Sequence, residues 1–68
     1  MAWDRAAKRD ARNYADRAER VAFEIGYLEG WEARENPLKD TCTAFSEFRL
    51  MQAHWLGHYE GYTDWVKL

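Results

Sequence analysis

Apolar and polar positions recur with helical period along most of the chain. Trp3, Ala7, Ala11, Tyr14, Ala18, Val21, Ile25 and Leu28 follow one another at spacings of four and three, one stripe on one helix face. Residues 4–34 hold no proline, few β-branched side chains and many Ala, Arg and Glu, all of which favour helix. Arg5, Arg9, Arg12 and Arg20 fall on the far side. Asp4–Lys8 and Asp16–Arg20 are acid-first pairs one turn apart, each worth roughly 0.3 kcal/mol. Asn36-Pro37 ends this helix, because the residue before proline is driven out of the α region. Asp40, Thr41 and Thr43 are candidate caps for a second helix. In it Ala44, Phe48, Met51, Trp55, Tyr59, Tyr62 and Val66 form a stripe that Phe45 and Leu56 widen. The pattern predicts an all-α fold of two long helices in a hairpin joined by a proline-containing turn. The aromatic second helix is expected to pack on the alanine- and glycine-rich first.

The four glycines sharpen this picture. They form two Gly-x-x-x-Gly pairs, Gly26/Gly30 and Gly57/Gly61, set 31 positions apart in matching contexts. Ala22-Phe-Glu-Ile-Gly26-Tyr-Leu-Glu-Gly30-Trp31 echoes Ala53-His-Trp-Leu-Gly57-His-Tyr-Glu-Gly61-Tyr62. A glycine inside a helix costs about 1 kcal/mol relative to alanine. Small residues one turn apart let two helices approach closely, so the pairs are expected to meet each other across a helix crossing or across a dimer.

Length then limits what the core can supply. Sixty-eight residues make a single domain, 1–68, and chains this short are marginally stable without disulfides, metal or a partner. Cys42 is the single cysteine, so no internal disulfide forms, and a reducing cytoplasm is the expected setting. The N-terminus opens with charge rather than a signal-peptide core, and no apolar run approaches a membrane span. The net charge of −2 is uneven: residues 1–21 carry +2, a basic-leaning arm, and residues 22–68 carry −4. That balance argues against a broad nucleic-acid surface and leaves room for a local basic contact.

Candidate chemistry is sparse. His54 and His58 stand one turn apart, a metal-binding spacing, but no third ligand joins them at a persuasive distance in sequence. Nothing near Cys42 in sequence would activate its thiol. Neither glycine pair has the strand before it or the Gly-Lys-Ser/Thr ending of a phosphate-binding loop. No cofactor and no catalytic residue is therefore assigned. The density of aromatics, including Tyr27, Trp31, Trp55, Tyr59, Tyr62 and Trp65, exceeds what two helices can hide, so some should anchor a partner.

The string Gly26-Tyr27-x-x-Gly30-x-x-x-Arg34, then Pro37, then Trp55-Leu56-Gly57-x-x-x-Gly61 resembles the ribosome modulation factor family and its CrpP-like relatives across residues 22–62. The resemblance implies a compact two-helix protein of bacteria or their phages that binds the small ribosomal subunit and silences translation. On that reading Arg5, Lys8, Arg9, Arg12 and Arg34 meet phosphates while Tyr27 or Trp31 stacks on a base. A second reading is an interaction module that docks on a host protein through Trp55 and Tyr59. In a third, the CrpP-like members imply ATP-dependent modification of fluoroquinolones.

Overall fold

The computed structural model describes residues 2–39 and 42–67, with side chains placed for 5–38 and 42–65. Three α-helices, and no strand among the described residues, make up the fold: α1 (Ala2–Ala11), α2 (Arg17–Glu35) and α3 (Phe48–Lys67). A single 3₁₀ turn, Pro37–Lys39, follows α2. The all-helical class is as the sequence predicts. The two-helix hairpin is not, in two respects.

First, the long N-terminal helix is broken between Ala11 and Arg17. The amides of Arg12, Asn13 and Tyr14 bond back three residues to Arg9, Asp10 and Ala11, tightening and ending α1. Asp16 then caps α2, its carboxylate accepting the Ala18 amide at 2.7 Å. The break lets α1 fold back, so that Ala6, Ala7 and Ala11 join the buried core instead of lying along an isolated helix.

Second, α2 and α3 run in the same direction. A methyl group built on Gly26 or Gly30 would overlap the backbone carbonyl of His54 or His58; one built on Gly57 or Gly61 would overlap that of Phe23 or Tyr27. These partners differ in residue number by 28 and 34, evenly about the 31-residue repeat. Towards the start of both helices Arg49 binds Asp16 and Glu19, and towards their ends Arg34 lies over Tyr62. Contacts of constant difference, rather than constant sum, mean parallel axes. Each glycine presents Cα hydrogens to a carbonyl of the other helix, a weak attraction worth about 0.5 kcal/mol apiece.

A parallel pair needs a connection that returns the length of a helix. Nineteen residues of α2 span about 28 Å, and the twelve residues from Asn36 to Glu47 reach about 40 Å when extended. The returning segment is pinned on the way: the Thr43 amide donates to both carboxylate oxygens of Glu29 at 3.1 Å, and its hydroxyl donates at 2.6 Å. Phe45 then packs beside His54. Thr43 is thus tied to α2 rather than capping α3; the other two cap candidates, Asp40 and Thr41, lie outside the described residues.

The buried faces also differ from the sequence reading. In α2 the core side is Ala22, Phe23, Gly26, Tyr27, Gly30 and Ala33, while Val21 is exposed. In α3 it is Ala53, His54, Gly57 and Gly61, while Phe48, Met51, Trp55, Tyr59 and Tyr62 face outwards. Close backbone approach selects small residues for the contact and turns large ones away. Gly57→Ala is expected to test this directly. Helix propensity alone would stabilise it by about 1 kcal/mol, but the methyl meets backbone that cannot rotate aside. We expect a net loss of about 2 kcal/mol, read as a melting temperature lower by about 10 °C in circular dichroism.

Candidate functional site

The outward face of α3 is the most exposed apolar surface among the described residues. Phe48 is 71% exposed, Tyr59 68%, Trp55 50% and Leu56 48%, with Met51 and Tyr62 also open to solvent. The glycine contact places them there: once Gly57 and Gly61 face α2, large residues two positions away, such as Trp55 and Tyr59, lie about half a turn round the helix and must point away. At its N-terminal half the face holds a shallow, open groove of about 300 Å³ lined by Phe48, Met51, Gln52, Trp55 and Leu56. At its C-terminal half Tyr59 is exposed. Arg34 reaches across from α2 and holds its guanidinium 4.8 Å from the centre of the Tyr62 ring, a cation–π contact.

The residues expected to meet a partner divide sharply. Trp55, Tyr59 and Arg34 are brought together on or beside this face. Arg5, Lys8, Arg9 and Arg12 are exposed on α1 and the turn after it, with Arg9 bound to neighbouring Asp10 at 3.2 Å. Tyr27 is a correction. It is fully buried, lies against Trp31 with ring centres 6.4 Å apart, and donates its hydroxyl to Asp64 at 2.7 Å. Its ring cannot stack on a base; Trp31, half-buried, keeps one side towards solvent. Burial together with the Asp64 carboxylate pushes the Tyr27 phenol well above its ordinary range. Phe48, Met51, Leu56 and Tyr62 enter the candidate surface because the sequence stripe that should have faced the core faces outwards.

Two polar clusters hold the helices in place. In the first, buried His54 shares a short 2.5 Å hydrogen bond with Glu29, the carboxylate that also fastens Thr43. Burial pushes the Glu29 carboxyl up, but the hydrogen bonds from Thr43 and His54 outweigh it and hold the group below its usual value. An ionised Glu29 has no proton, so the His54 Nε2–H donates. The Thr43 hydroxyl donates to the Glu29 carboxylate rather than to the imidazole. No group of three His, Cys, Asp or Glu positioned to hold a metal occurs among the described residues.

In the second cluster all three helices meet through carboxyl groups: Asp10 from α1, Glu60 and Asp64 from α3, with the Tyr27 hydroxyl of α2 on Asp64. One Glu60 oxygen is buried without a hydrogen-bond partner. Burial, a hydrogen bond to Asp10 and the charges of Asp10 and Asp64 raise the Glu60 carboxyl to about 7, against a small opposing pull from Arg9. The folded chain therefore keeps a proton on Glu60 that the unfolded chain has already lost above 4.5. Stability contributed by that proton is present at acidic pH and disappears as pH rises to about 7.

Among the described residues no helix is long and apolar enough to cross a membrane. Comparison with family models, with curated proteins and with solved structures finds no match to the chain. From the Glu60 cluster we expect the melting temperature to fall between pH 5 and pH 8, and the isosteric Glu60→Gln to flatten that fall. A wild-type profile that rises across this interval would contradict the assignment.

Proposed function

We propose that the chain is a small, non-enzymatic regulatory binding protein of the ribosome modulation factor type, acting in the cytoplasm on the translation machinery. The observation that carries the reading is how the signature residues divide in the fold. Gly26, Gly30, Gly57 and Gly61 are consumed by the helix contact and Tyr27 by the core. Arg34, Trp55 and Leu56 stay exposed, even as Arg34 reaches Tyr62 and Trp55 packs beside His54 and His58. Residues of a shared motif that stay accessible in the fold are the ones a shared target would read. Trp55 and Tyr59 offer rings for base stacking, and Arg34 with Arg5, Lys8, Arg9 and Arg12 offers cations for phosphate.

Cosedimentation with ribosomes tests this. Binding should be retained at low salt, weaken steeply as salt rises, and drop at least tenfold in Trp55→Ala. Absence from ribosome fractions at low salt would overturn it. The apolar character of the α3 face favours a second reading, docking on a host protein. That reading predicts a Trp55-dependent partner whose capture survives RNase treatment and depends little on salt. The CrpP-like reading has less support, since it draws on the sequence resemblance alone.

A further inference from the structure

The α3 face carries an open groove lined by Phe48, Met51, Gln52, Trp55 and Leu56 in one half and the exposed Tyr59 ring in the other. A two-fold axis crossing α3 at Trp55 sets residue 48 opposite residue 62 of a second helix, and residues 51 and 52 opposite 59 and 58. That operation lays Tyr59 of each chain into the groove of the other, a knob in a hole formed by side chains one and two turns apart. It also matches charge. Glu47, exposed beside Phe48 at the groove end, shares Arg49 with Asp16 and Glu19, an end with acid in excess, and Arg34 stands over Tyr62 at the other end, so each acidic end faces the other chain's guanidinium.

Area and core size agree with such an occupant. A large side chain offers about 150–250 Å² when bare, so the exposed fractions of Phe48, Met51, Trp55, Leu56, Tyr59 and Tyr62 come to roughly 700 Å². A standard stable interface takes about 800 Å² from each partner. The interior of the single chain is built largely from alanines, Ala6, Ala7, Ala11, Ala22, Ala33 and Ala53, around Phe23 and Tyr27. Alanines bury little area each, which leaves a chain of 68 residues short of apolar burial.

We propose that in the absence of a target the protein is a symmetric homodimer, two copies of α3 packed antiparallel with Tyr59 of each seated in the partner's groove. The inference goes beyond the binding role and does not depend on it, since it concerns the pure chain alone. A target that needs Trp55 or Tyr59 competes with the second copy for the same face.

Sedimentation equilibrium of the full-length chain tests it. We expect a species of twice the chain mass, half-dissociating at roughly micromolar concentration or below. Tyr59→Glu, at an exposed position, should leave the helical circular dichroism unchanged and weaken the dimer at least tenfold. Arg34→Glu and Glu47→Arg should each weaken it, and the double variant should recover most of the loss, because antiparallel packing pairs these two positions. A pure chain that stays monomeric into the millimolar range overturns the proposal, whether or not ribosomes or a host protein still bind. So does a dimer indifferent to Tyr59→Glu, and failure of the double variant to recover overturns the antiparallel arrangement.

Discussion

The fold depends on one constraint: two helix backbones approach so closely that no side chain fits between them. Gly26 and Gly30 meet the carbonyls of α3, and Gly57 and Gly61 meet those of α2, in a reciprocal arrangement. Each glycine weakens its own helix, and the contact between helices must return more than that. It does so by packing backbone against backbone over two successive turns, with Cα hydrogens facing carbonyl oxygens and with Ala22, Ala33 and Ala53 closing the surrounding space. The remaining architecture accommodates this contact. The Asn36–Glu47 segment must run back along the pair, and Glu29 fastens it there through Thr43 while also holding His54 on Oε1. Arg49 ties the beginnings of the two helices together through Asp16 and Glu19.

The same constraint makes the surface. Once the small residues of α3 face inwards, its large ones cannot, and Phe48, Trp55, Leu56 and Tyr59 become an apolar band on a chain of 68 residues. Scaffold contact and exposed apolar surface are therefore separated along a single helix: glycine, alanine and His54 on one side, aromatics on the other. Asp10, Glu60 and Asp64 add a junction that fastens α1 to this pair most firmly when Glu60 is protonated.

Much of this was legible in the sequence, and the failures are instructive. The 31-residue echo correctly points to a meeting of the two glycine pairs. It cannot give direction, because a two-fold axis along the helices and one across them both reproduce the echo. The hairpin expectation followed from the proline turn, but twelve residues between Glu35 and Phe48 are long enough for a return path. The inward face was misassigned because hydrophobic periodicity weights large residues, whereas a contact between backbones recruits the smallest. Tyr27 was misplaced for a related reason: it belongs to the glycine face and is buried with it. The break before α2 had a signal in Asn13 and Asp16, a weak helix former followed by a strong cap, hidden by an alanine stripe that runs through both. The pairing of Glu29 with His54 and the Asp10–Glu60–Asp64 junction join residues distant in sequence, and no local pattern announces them.

The parallel glycine contact is the central claim, and intramolecular distances measure it most directly. Spin labels at exposed Ala18 and Gln52, compared with labels at Ala18 and Trp65 in a Cys42→Ser background, report helix direction by pulsed electron resonance. Residues 52 and 65 lie about 20 Å apart along α3. The account predicts that the 18–52 distance is clearly the shorter of the two. A shorter 18–65 distance would mean an antiparallel pair and would contradict it.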